Sequence, residues 1–300
     1  METEECECGN VDEGINWKFN TPRKSLFSMG CNVFLWNKIA VSYSGLNLTK
    51  ENDVLLALAG TAQKCKPEID AKYLAGFWSG DLMVYHLLWY VQPGKSLFPG
   101  GHMTALQPRP SWRAPSWSWA SVSSQVTYDE VTQMFPAVDV FETRVVPAGR
   151  DSTGEVMFGE LKVSGSAVMI SCRTPAQRSG RSHSRQFDVQ CMGQDIQDMS
   201  MFPDYDWGSD NRWWVYEGQP LFCLHLATTR PTNDKDDAPF DPTEDMFGPN
   251  DDVWFLLLAM FTPEAHVFQR VGLARLKWKD YEQNTAFREI FETFENFVIC

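Results

Sequence analysis

Apolar positions along the chain change their period once, near Trp112: upstream they recur at helical spacing, and downstream they alternate in short runs. Residues 48–65 (LTKENDVLLALAGTAQKC) place Leu55, Leu58, Ala59 and Ala62 on one stripe. Thr49 is a candidate N-cap and acidic residues fill the first turn, so this segment is predicted helical despite Gly60. Residues 70–91 (DAKYLAGFWSGDLMVYHLLWYV) predict one or two short helices broken at Ser79-Gly80-Asp81, with His86 a core histidine inside the apolar stretch. Beyond Trp112 come strand-like runs separated by turn signals: 138–146, then 159–172 with a bend at Gly165, then SRQFDVQC, RWWVYE, PLFCLHLAT, DVWFLLLAM and HVFQRVGLARL. ENFVIC closes the chain after a short helix over 281–291. The pattern predicts a mainly β protein with a small α-helical N-terminal part, its strands forming an antiparallel barrel or sandwich. Residues 1–30 read as an irregular lead-in and 31–300 as a single domain, with a helical part over 31–92 and a β-rich part over 110–300.

The stretch RAPSWSWASV, 113–122, follows Trp112 directly and concentrates tryptophan in a few residues. Pro110 and Pro115 block a helix interior, so an extended chain is expected, with Trp117 and Trp119 on one face. Ser116, Ser118 and Ala120 would then leave the other face small enough for a second layer to approach. Trp117 and Trp119 are expected to anchor the core. Trp112, out of phase and flanked by Arg109 and Arg113, is the candidate for a wet or ligand-facing edge.

Charge and composition narrow the function classes. A net charge of −13 leaves no basic face for phosphate contacts and disfavours anionic membranes, so neither nucleic acid nor membrane is an expected partner. The start, METEECECGN, has no apolar core of a signal peptide, and VWFLLLAMF (253–261) is the longest apolar run, about half a membrane span. A cytoplasmic location follows, with the scattered cysteines as thiols. Cys6 and Cys8 lack a second pair at zinc-ligand spacing, so no metal site is expected. Two long connections stand apart: a basic, serine-rich one over 174–185 and an acidic one over about 204–252. The acidic connection carries Trp207, Trp213 and Trp214, so it is a candidate lid or protein-contact surface.

No nucleophile elbow, zinc-protease, phosphate-loop or dinucleotide fingerprint is present. The chemistry that needs no such motif is cofactor-independent cyclisation or cycloaddition, driven by a shaped apolar cavity, a few polarising donors and exclusion of water. On that reading no cofactor is required. Trp78, Trp89, Trp112 and Trp254 are candidate pocket walls for an apolar small molecule. Arg113, His225 and Arg270 are candidate catalytic donors to a carbonyl or enol.

NDVLLALAG (52–60), YLAGFW (73–78), LLWYV (87–91), RAPSWSWASV, GELKVSG (159–165) and FQRVGL (268–273) follow one another in an order that resembles one family. They are similar to the region downstream of the conserved module in fungal heterokaryon-incompatibility (HET) domain proteins, over roughly residues 34–300. In that family the upstream module resembles a TIR-like fold and is associated with cell death. Only about thirty polar residues precede the match here, so the module and its active-site residues have no counterpart in this chain. The resemblance implies a stand-alone version of the family's C-terminal region. Two functions are open to it: an enzyme recruited to fungal secondary metabolism, or a non-enzymatic regulatory and protein-interaction module of the incompatibility system.

Overall fold

The computed structural model describes residues 23–46, 48–67, 69, 71–80, 82–91, 106–173, 187–207, 219–231, 247–263, 266–284 and 294–300. RWWVYE, Trp213, Trp214, Cys6, Cys8, the basic connection and most of the acidic one lie outside them.

Helix α1 (Arg23–Ser44) begins inside the expected lead-in and buries Trp36, Asn37 and Ala40, one turn apart. Helix α2 (Val54–Cys65) buries Val54, Leu55, Leu58, Ala59 and Ala62, the stripe read from the sequence. It starts later than Thr49, because residues 51–53 first make a 3₁₀ turn.

Residues 70–91 depart from the helical expectation. β1 (Tyr73–Leu74) and β2 (Phe77–Trp78) form a small antiparallel hairpin turned through Ala75 and Gly76, both at positive φ (47° and 99°). Two consecutive positive φ values make the tight turn that matches strand twist, and Gly76 supplies one of them without strain. A single helical turn, α3 (Met83–His86), leads to β3 (Tyr90–Val91), which pairs with β4 (Val126–Thr127).

RAPSWSWASV is not extended. Ser118 caps a 3₁₀ turn over Trp119–Ser121, its Oγ accepting from the Ala120 N–H. Arg113 closes the loop from inside, Nε donating to the Ala120 carbonyl at 2.7 Å and Nη2 to the Val122 carbonyl at 2.5 Å. Both tryptophans are fully buried, and so are Ser116, Ser118 and Ala120. Close approach by a second layer does occur. The strand carrying Gly159 lies so near that a β-carbon there would meet Pro115 Cγ at 2.1 Å.

The β part continues with β5 (Val131–Pro136), β6 (Val138–Pro147), β7 (Val156–Arg173), β8 (Asp188–Cys191), β9 (Gln194–Ile196) and β10 (Ser200–Pro203). It ends with β11 (Pro220–Pro231), β12 (Asp252–Thr262), β13 (Val267–Lys277) and β14 (Phe294–Ile299). The described part of the expected closing helix is α4 (Trp278–Gln283). The ten strands from β5 onward form one large sheet in the order β5-β11-β12-β13-β14-β7-β8-β9, with β6 on β7 and β10 on β13. It is mixed rather than purely antiparallel, and it does not close as a barrel. β13 and β14 run parallel and meet only at Val267↔Val298 and Phe268↔Ile299. Along one edge β7 pairs first with β14 and then with β11.

Strand β12 explains the placement of the cores. Trp254, Leu256 and Leu258 point to the face covered by the helical part, where they join Trp78, Trp89, Trp117 and Trp119. Val253, Phe255, Leu257 and Ala259 point to the other face and pack with Ile170, Val189, Cys191, Cys223 and Tyr281. A strand buried on both faces reads as one unbroken apolar run, as DVWFLLLAM does. Among the described residues no helix is long and apolar enough to cross a membrane.

Candidate functional site

The seven side chains expected to form the site are distributed through the fold. Trp78 lies deep in the helical part, edge-on to Trp36 at 5.4 Å and to Tyr73 at 5.2 Å. Trp89 donates its Nε1 proton to the Trp117 carbonyl at 3.0 Å. Arg270 lies over the Trp89 ring, 3.4 Å from its centroid, so this pair does meet. Trp112 is 44% exposed, whereas the neighbouring Arg113 turns inward. The third guanidinium nitrogen of Arg113 donates to the Glu51 carbonyl at 2.7 Å, so its hydrogen-bonding edge faces backbone.

Arg270 is fully buried and holds the two layers together. Its Nε donates to Asp204 Oδ2 at 2.9 Å and its Nη1 to the Leu87 carbonyl at 2.7 Å; its Nη2 reaches the Trp89 carbonyl. Burial raises the Asp204 carboxyl above the usual carboxylate range, and Arg270 opposes that shift. His225 projects from β11 to the opposite face, against Phe255 at 5.6 Å and Tyr281 at 6.0 Å, where burial lowers its pKa to about 4. His225 and Arg270 are thus on opposite sides of the sheet. His86 is a core histidine, stacked on Phe77 and bonded to Asn37 at 2.8 Å, with its pKa lowered to about 3 by burial.

A different constellation brings aromatics, titratable groups and partial exposure together at the seam between the helical part and the sheet. Tyr90 stands on β3. Asp129 follows β4 by two residues, in a chain fixed by the Tyr128 hydroxyl, which donates to the His86 carbonyl at 3.3 Å. Phe202 stands on β10 and Trp254 on β12, and Trp254 Nε1 donates to Thr229 Oγ1 at 2.9 Å. Ring centroids of Tyr90 and Phe202 are 4.6 Å apart, those of Tyr90 and Trp254 5.9 Å, and those of Phe202 and Trp254 6.1 Å.

Arg275, directly across the ladder from Trp254, lays its guanidinium over this floor, 5.1 Å from Trp254 and 5.5 Å from Phe202. Its Nη1 donates to Asp129 Oδ2 at 2.7 Å, and Tyr90 Oη donates to Asp129 Oδ1. The Arg275 and Asp129 side chains are 28% and 30% exposed. Behind them, buried Asp252 receives Lys277 Nζ at 2.9 Å and lies 3.7 Å from Arg275 Nε. Burial first, and the Asp129 charge second, raise the Tyr90 phenol well above its ordinary value, so it acts as a donor across the physiological range.

The seam therefore offers a floor of mutually tilted aromatic rings and two strong donors, one to each oxygen of a single carboxylate. Such donors stabilise a carbonyl, enolate or carboxylate oxygen. Of the expected residues only Trp254 belongs to this floor. Arg275 and Lys277 were within reach of the sequence: folding DVWFLLLAMFT against HVFQRVGLARLK as a hairpin sets Asp252 opposite Lys277 and Trp254 opposite Arg275. Tyr90 and Asp129 carried no signal, since a two-residue strand and a loop place them. Among the described residues no group of three or more His, Cys, Asp or Glu side chains is arranged to hold a metal ion. Comparison with models of known families, with curated proteins and with solved structures finds no match in any of the three.

Proposed function

We propose that the chain binds an apolar small molecule at the seam over Tyr90, Phe202 and Trp254 and promotes a cofactor-independent cyclisation or cycloaddition there. The supporting observation is that Tyr90 Oη and Arg275 Nη1 donate to the two oxygens of one partly exposed carboxylate beside an aromatic cluster. On this reading the floor orients an unsaturated body, and the two donors draw electron density from a conjugated carbonyl. The resemblance to the region downstream of the HET module belongs to the same proposal, with the chain recruited to fungal secondary metabolism and working in the cytoplasm.

Thermal-shift and tryptophan-fluorescence screening of the purified protein against terpenoid and polyketide compounds tests it. A saturable ligand that binds the folded state raises the melting temperature by mass action. The expected hit is stabilising in the native chain and loses its effect in Arg275→Gln. No stabilising compound, together with recovery of a specific protein partner, would replace this reading with that of an interaction module.

A further inference from the structure

Asp129 has features of a ligand group supplied by the chain itself. Its two oxygens take the two strongest donors at the seam, Tyr90 Oη and Arg275 Nη1, yet it is 30% exposed and sits in irregular chain after a two-residue strand. Asp252 is different: it is buried at the start of a long strand and faces Lys277 and Arg275 across the ladder. A partly exposed carboxylate–guanidinium pair contributes little net stability, so exchanging this carboxylate for another costs little. The Arg275 cation, in contrast, is held over Trp254 and Phe202 and stays in place when its counter-ion leaves.

Resting on the binding site proposed above, we infer that Asp129 occupies the oxyanion position of the natural ligand, which is a flat unsaturated or aromatic molecule carrying a carboxylate or enolate. Ligand binding swings Asp129 away and places the oxyanion between Tyr90 Oη and Arg275, whose guanidinium stays over Trp254 and Phe202. Asp129 is thus an internal competitor that sets the affinity of the site and is displaced more readily by an anionic ligand than by its neutral analogue.

Removing the competitor tests this directly. Binding of 2-naphthoate, with 2-naphthamide as the neutral control, is measured by calorimetry in the native chain, Asp129→Ala, Asp129→Asn and Asp129→Ala/Arg275→Gln. Asp129→Ala and Asp129→Asn are expected to bind 2-naphthoate about tenfold more tightly than the native chain, because the competent state no longer has to be opened. The amide gains nothing, and the double variant loses the gain. If Asp129→Ala folds poorly, 2-naphthoate restores its melting temperature selectively, and Asp129→Asn, of the same volume, carries the affinity comparison. Equal affinity in native and variant chains, or an equal gain for the amide, overturns the inference. The catalytic reading fails separately, through the compound screen on the native chain.

Discussion

Among the described residues, arginine guanidiniums tie together segments distant in sequence, and each does it differently. Arg270 joins β13 to the segment before β3 and to Asp204 with its whole hydrogen-bonding edge buried. Arg270→Ala removes the only guanidinium hydrogen-bonded to Asp204 among the described residues, in the interior, so the variant should lose about 3–5 kcal/mol in urea denaturation. Replacing both partners, as Arg270→Met with Asp204→Leu, should restore much of it. A loss under about 1 kcal/mol for the single variant would mean that the pair is solvated. Arg113→Ala leaves the Ala120, Glu51 and Val122 carbonyls without their donor, at about 1–3 kcal/mol. His86 gives a pH signature. Its folded pKa of about 3 lies below the value of about 6.5 for an unfolded histidine, so only the unfolded chain takes up a proton between them. Stability contributed by neutral His86 is complete above pH 6.5 and falls by about 1.4 kcal/mol per unit as pH drops toward 3. His86→Gln should flatten the pH dependence of unfolding by that slope, and an unchanged slope would place the imidazole in water.

Element by element, the sequence is legible where burial is one-sided or complete and illegible where a few residues turn the chain. Helix α2 shows its buried stripe, and β12 shows an apolar run because both its faces are covered. The hairpin at Tyr73–Trp78 is hidden by its size, since two-residue strands have no period and the surrounding apolar residues fit a helix equally well. RAPSWSWASV misled through its prolines: they exclude a helix interior, but a chain of bends closed by Arg113 satisfies them as well as a strand does. β5 and β10 are short, and β10 is recognisable only from its pairing with β13. The contact of β7 with this loop makes a sharp prediction. Gly159→Ala drives a methyl into Pro115, so a cost of about 1–3 kcal/mol is expected, whereas Gly149→Ala, with nothing within 4 Å, should be near neutral. Equal effects at the two positions would show that the loop yields freely.

At the scale of the molecule, one mixed sheet separates two cores, and the helical part closes over one face of it. Of the tryptophans that suggested a pocket wall, Trp78 and Trp89 instead fasten that closure, buried in the first core with Trp117 and Trp119, which were expected there. The candidate site lies instead at the rim of the closure, where Tyr90 and Asp129 from the helical side meet Phe202, Trp254 and Arg275 from the sheet. No single segment of sequence contains that site, which is why a pattern of periods and motifs reached only Trp254. Ligand binding at this rim is read by hydrogen–deuterium exchange of the protein saturated with the best compound from the screen. Slowed exchange is expected, confined to residues 89–91, 126–130, 200–205, 252–256 and 273–277. Protection centred on β8 and β9, across the sheet, or no local protection at saturating compound, would contradict it.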